Sequence, residues 1–162
     1  MRREYDRRFD AFVDSTRDRA YRTAFAVTRD AEAARLALQA AYADAYAGWR
    51  QLRRQENREV ELRRLLVQRL LTRPGRPLVP TPRAAAPDEQ VVDVDTVWSA
   101  LKEVSTEHRL LLVMAHYENL SLEDMAAACG MSREAGQARL AEAMSALRQV
   151  LIAPAKPTRQ RV

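Results

Sequence analysis

Five of the seven prolines in this chain of 162 residues fall between positions 74 and 90, in the stretch PGRPLVPTPRAAAPDEQ. Proline removes a backbone donor and clashes with the preceding turn, so no regular helix survives that density. A semi-extended proline-rich linker is expected over 74–95. It separates a unit at 1–73 from a second at 96–152, and a basic tail follows at 153–162 with Lys156, Arg159 and Arg161. On both sides of the linker the sequence is rich in Ala, Leu and Arg. The alternating β-branched and aromatic runs that mark strands are almost absent. The expected class is all-α: two small helical domains, one of three helices and one of four.

In the first unit Tyr5, Phe9, Phe12, Val13, Ala20, Tyr21, Ala24 and Phe25 form an apolar stripe at helical spacing. Thr28, Arg29 and Asp30 interrupt it. A second, alanine-crowded helix is expected from about 31 to 48, with Leu36, Leu38, Tyr42 and Tyr46 as its large apolar groups and Trp49 just past its end. A third, from about 57 to 72, carries Val60, Leu62, Leu65, Leu66, Val67, Leu70 and Leu71 with arginines between them. The aromatic stripe reads as core and needs no ligand to explain it.

The second unit opens with a short helix holding Val97, Trp98 and Leu101. Ser105 and Thr106 then cap a helix running to Tyr117. Residues 120–148, LSLEDMAAACGMSREAGQARLAEAMSALR, follow as a helix-turn-helix. Ser121 and Asp124 fit a capping arrangement at its first helix. Leu122, Met125, Ala126 and Cys129 recur along one face. Gly130 falls where the turn must pass through positive φ, and Ser132 caps the second helix. Ala126 is small enough for the two helices to approach closely. Such a unit commonly places its second helix in the DNA major groove. An αα-hairpin within a helical bundle has the same pattern.

The net charge is +5, from 27 basic and 22 acidic residues. That permits a polyanion partner without requiring one. Its distribution is more pointed: from Trp49 to Arg76 there are nine arginines against three glutamates. Arginine suits phosphate because its planar fork donates two hydrogen bonds together. Pairs such as Glu59 with Arg63, one helical turn apart, account for part of that run. The apolar run 110–115 is too short to span a bilayer, and the first residues lack an apolar stretch of signal-peptide length. A cytoplasmic protein is expected. A single cysteine, Cys129, forms no internal disulfide and reads as a packing residue. His108 and His116 are eight apart, a poor fit to a metal pair. Without a phosphate loop, nucleophile elbow or Cys/His cluster, no enzyme, catalytic residue, metal or cofactor is expected.

Taken in order, these features resemble a minimal bacterial sigma factor of the extracytoplasmic-function (ECF) group, in the sigma-70 family. The likeness covers about residues 5–73 and 96–151. In the second unit it runs through Val97-Trp98-Ser99-Ala100-Leu101, His108 to Val113, Tyr117 to Ser121, Met125-Ala126, Gly130-Met131-Ser132, then Arg139, Ala143, Leu147 and Arg148. In the first it rests on Arg19, Tyr21, Arg22, Ala24, Thr28, Asp30, Gln39, Tyr46, Trp49 and the run 63–67.

The resemblance implies a transcription initiation factor whose partners are promoter DNA and core RNA polymerase, with an anti-sigma protein as a further partner and no membrane. In the family the first domain grips the clamp helices of the polymerase β′ subunit and opens the −10 element. The second rests on the β flap and reads the −35 element. Carried onto this sequence, DNA contacts fall on Ser132, Arg133, Gln137, Arg139 and Arg148 in the helix-turn-helix, and on Arg63, Arg64, Gln68 and Arg69 in the third helix. Polymerase contacts fall on Glu32, Gln39, Tyr42, Tyr46 and Trp49. Two tethered weak grips would combine into a tighter, span-specific one.

The chain departs from the family pattern at several points. Arg35, Leu36 and Ala40 stand where acidic residues usually flank the glutamine, here Gln39, and such a change removes favourable pairs at the clamp. The recognition helix reads Glu134-Ala135-Gly136-Gln137-Ala138-Arg139, and Gly136 costs about 1 kcal/mol of helix propensity relative to alanine. Gln68 and Glu61 stand where an asparagine and an aromatic residue are frequent. These departures keep a second function open: a sigma-like regulatory adaptor that binds polymerase or another regulator without promoter activity.

Overall fold

The first helix stops where the backbone turns left-handed. Arg29 has φ +53, which ends α1 (Arg2–Thr28), and the Asp30 carboxylate accepts from the Ala33 N–H at 2.8 Å to start α2 (Ala31–Ala47). The computed structural model describes residues 2–72 and 94–153, and every regular element among them is helical. A single short turn, α3 (Trp49–Leu52), precedes α4 (Arg58–Thr72). The second segment holds α5 (Val94–Glu103), α6 (Thr106–Leu112) continued by a π-turn at Val113–Tyr117, α7 (Leu122–Ala128) and α8 (Arg133–Ile152). The all-α class expected from the sequence holds. The bulk of the expected linker and the tail beyond 153 lie outside the described residues, and residues 94 and 95, expected in the linker, belong to α5.

Alanine explains how α2 packs. Ala34, Ala37, Ala41 and Ala45 are all buried, and α2 lies against both α1 and α4. Small side chains on its inner face let three helices share a narrow space. The expected aromatic stripe is core: Phe9 and Phe12 pack on Trp49 with ring centroids 5.2 and 5.3 Å apart. Trp49 itself is fully buried.

The helix-turn-helix forms with the caps its sequence carries. Ser121 Oγ accepts from the Asp124 N–H at 3.1 Å, Gly130 has φ +66, and Ser132 Oγ accepts from the Ala135 N–H at 3.2 Å. Gly136 faces inward. A Cβ placed there would lie 3.0 Å from the Ala126 Cβ and 3.8 Å from Leu122 Cδ1. The glycine thus goes with a close approach of α7 and α8, into which an added Cβ would fit only if Ala126 gave way by a few tenths of an ångström. Gly136→Val is expected to destabilise the fold by about 2 kcal/mol through overpacking, read from chemical denaturation.

The two segments do not stand apart. α4 touches α7, and α1 touches α6 and the π-turn. One core runs through Phe12, Val27, Leu66, Leu110, Met114 and Met125. Arg109 fastens this junction. Buried at 5 % exposure, it donates through Nε to the Leu101 carbonyl (2.6 Å), through Nη1 to Val27 (2.7 Å), and through Nη2 to Lys102 (2.9 Å) and Val104 (3.2 Å). Val27, Leu101 and Lys102 belong to the C-terminal ends of α1 and α5, where carbonyls lack intrahelical donors and carry partial negative charge, and Val104 directly follows α5. The guanidinium thus answers two helix ends together. Its burial, then repulsion from Arg29, pushes its pKa down. Arg29 lies with its guanidinium 4.7 Å from the Trp98 ring centroid, a second link between the segments.

Candidate nucleic-acid interface

Helix α8 lies on the surface, with Gly136 and Ala143 as its buried positions. Arg133, Gln137, Met144 and Arg148 follow one another at steps of four, seven and four residues, and all four are exposed. That spacing places them on one stripe of the helix. Ser132 sits at the head of the helix as its cap. Neither Arg133 nor Arg148 forms an ion pair with a described residue. Arg139 is on the other flank, where its Nη1 lies 3.4 Å from Glu142 and its Nε lies 4.0 Å from Glu107. The five residues expected here from the sequence thus divide: four share a cap and stripe, and Arg139 turns toward acids.

The α4 set divides more sharply. Arg63 points into the junction and meets Glu118 at 3.4 Å, so the expected pairing with Glu59 is not made; Glu59 instead lies 3.7 Å from Arg19. Arg64 bonds Glu61 through Nε at 2.9 Å. Arg69 bonds Asp44 of α2 through Nε at 2.6 Å. Gln68 is exposed. The four do not line up as one open basic ridge.

An arginine-walled cleft lies beside them. It has a volume of about 1090 Å³, and Arg8, Arg19, Arg53, Arg54, Arg58 and Arg63 line it with Glu56, Glu59 and Asp124. Arg54 and Arg58 make no ion pair with a described residue. Trp49 forms part of its lining, and its buried indole Nε1 finds no hydrogen-bond partner among the described residues. Arg53, Arg54, Arg58 and Arg63 belong to the basic run of the sequence, whereas Arg8 and Arg19 come to the cleft from α1. Their separation of eleven residues, three helical turns, is the signal that places both on one face of α1.

On α2, Glu32 pairs with Arg35 at 2.7 Å, and Gln39 Oε1 accepts from Arg35 at 3.3 Å. Tyr42 is half-buried and shares a 2.7 Å hydrogen bond with Thr16; burial raises its pKa. Tyr46 is exposed and donates to Asp6 at 2.8 Å. Trp49 is inside the core, so it supports this surface from beneath. Among the described residues no cluster of His, Cys, Asp and Glu is arranged to hold a metal. No helix among the described residues is long and apolar enough to cross a membrane. Cys129 is half-buried, and burial pushes its thiol up to about 11. At pH 8 its alkylation is expected to run more than tenfold slower in the folded chain than in denaturant, because the thiolate is the reactive form.

Known proteins are similar to this chain over most of its length. The RNA polymerase sigma-E factor of Streptomyces coelicolor is 29% identical over 153 residues, spanning 90% of this chain and 86% of its own. That of Streptomyces antibioticus is 29% identical over 151 residues, and that of Streptomyces avermitilis 28% over 151, each spanning 88% of this chain and 84% of its own. The chain is similar to these RNA polymerase sigma-E factors over most of its length. No protein-family profile matches it. The matched lengths include both segments, so the resemblance is not confined to a shared helix-turn-helix. The relatives' names support a sigma-factor function.

Proposed function

We propose that the chain is an ECF-type sigma factor that directs core RNA polymerase to promoters in the cytoplasm. The observation that carries this reading is the exposed stripe Arg133, Gln137 and Arg148 on the second helix of a well-capped helix-turn-helix, in a chain similar to sigma factors over nine-tenths of its length. Ser132, Arg133 and Arg148 hold phosphates at the −35 element, and Gln137 reads an adenine edge. Arg139 joins them once it leaves Glu107 and Glu142. On the first unit, Arg63, Arg64, Gln68 and Arg69 meet the −10 region, and the neighbouring arginine cleft supplies a basic wall against which an unstacked strand can lie.

The polymerase meets α2 at Glu32, Gln39, Tyr42 and Tyr46, with Trp49 fixing the helix end from below. The β′ clamp takes this surface and the β flap takes the second unit. An anti-sigma protein competing for either surface belongs to the same reading. The Glu32–Arg35 pair must open, or be outcompeted, for Glu32 to serve a basic partner.

Binding of the purified chain to a promoter fragment tests the DNA part of this reading. Affinity is expected to fall by about 0.9 log units per log unit of salt for each phosphate contact. A flat salt response would favour the regulatory adaptor.

A further inference from the structure

Helix α8 has a back, two flanks and a front. Gly136 and Ala143 are buried in its back, and Leu140, Leu147 and Val150 pack beside them against the core. At about 100° per residue, the opposite line runs through Glu134, Ala138, Ala141 and Ser145. All four are exposed. Arg133, Gln137, Met144 and Arg148 lie to one side of that line, and Arg139 lies to the other. The front is therefore one long polar side chain followed by three short ones. Short side chains at Ala138, Ala141 and Ser145 let the floor of a groove come close to the helix.

Glu134 stands on the first turn, the part of a recognition helix that reaches base edges. Its carboxylate makes no ion pair or hydrogen bond with a described residue. The positive end of the helix dipole favours an acid there and tempers its repulsion from phosphates at the groove rim. A carboxylate can only accept. In the major groove guanine presents two acceptors, and thymine an acceptor and a methyl group. Adenine sets the acceptor N7 beside its amino group, whereas cytosine presents its N4 amino donor alone. Cytosine is the base that a carboxylate fits without meeting an acceptor. Glu134 precedes Gln137 by three residues, about 4.5 Å along the axis. That is close to one base-pair step of about 3.4 Å.

We propose that Glu134 is a specificity-determining residue: it accepts a hydrogen bond from N4 of a cytosine in the major groove, at a base pair beside the one that Gln137 reads. This rests on the reading of α8 as the helix that meets the −35 element.

The test is selection of bound duplexes from a pool with a randomised segment, using the full chain and its Glu134→Gln, Glu134→Ala and Gln137→Ala variants. Sequencing of the bound fraction gives the enrichment of each base. The unaltered chain is expected to favour cytosine over every other base by at least about fivefold at one position. Glutamine pairs with adenine through N6 and N7, so Glu134→Gln should switch that position from cytosine to adenine, a change that a folding defect cannot produce. Glu134→Ala should level the position and leave the others as they were. Gln137→Ala should relax an adenine preference at a neighbouring position. If Gln137→Ala alters the selected sequence and neither Glu134 variant does, the assignment of Glu134 is overturned while the promoter reading stands. Uniformly tighter binding by Glu134→Ala, with the cytosine preference kept, also overturns it and leaves Glu134 as a group that only repels phosphates. If the unaltered chain enriches no sequence, the promoter reading falls and the assignment falls with it.

Discussion

Arg109→Met is expected to lower the stability of the chain by about 3–5 kcal/mol, which for a protein of this size is a fall of roughly 6–20 °C in melting temperature. Methionine fills much of the space but donates nothing. The carbonyls of Leu101, Lys102, Val104 and Val27 then lose their shared donor. Each unmatched buried acceptor costs about 1–3 kcal/mol, reduced where water can enter. Arg109→Lys should recover only part of this loss. A compact ammonium cannot span two helix ends as the planar fork does. Thermal denaturation followed by circular dichroism checks the order Arg, Lys, Met. As a control, Arg17→Met, at an exposed site, should shift stability by no more than about 0.5 kcal/mol. Equal effects at both sites would mean that Arg109 does not hold the junction.

The double substitution Arg133→Ala with Arg148→Ala is expected to weaken promoter binding by about tenfold to a hundredfold. The salt slope should fall by about two units, one for each phosphate contact removed. Both side chains are exposed and lie on the surface of α8, so the fold should be untouched. Arg139→Ala should have a smaller effect than the double change, since Arg139 must first leave Glu107 and Glu142. It should still exceed Glu142→Ala, which removes an acid from near the phosphates. Titrations of a labelled duplex at several salt concentrations separate these outcomes. A double variant with unaltered slope would place the DNA contacts elsewhere.

The features legible in the sequence are those whose physics is local. Ser105, Ser121 and Ser132 cap the helices they precede, and Asp30 does the same for α2. Gly130 takes the left-handed turn. These depend on residues within a few positions of one another. Core membership of Phe9 and Phe12 followed from periodicity for the same reason. What the sequence withheld depends on distant partners. Arg109 looks like one more surface arginine until the ends of α1 and α5 converge on it. Gly136 looks like a defect in a recognition helix until Ala126 stands 3.0 Å from its absent side chain. Arg63 was paired by spacing with Glu59, but a carboxylate from beyond the linker, Glu118, takes it. Trp49 was assigned to a partner-facing surface, and the packing of Phe9 and Phe12 puts it inside. The π-turn at 113–117 has no periodic signature that separates it from an ordinary helical turn.

The most direct test of promoter-directed initiation is run-off transcription by core polymerase, with the purified chain as the sole added factor, on a pool of promoter-bearing fragments. The expected result is a discrete transcript that appears only when the chain is present and is lost with Arg133→Ala and Arg148→Ala. Co-elution of the chain with core polymerase, but no transcript from any fragment, would contradict the account and leave a polymerase-binding adaptor.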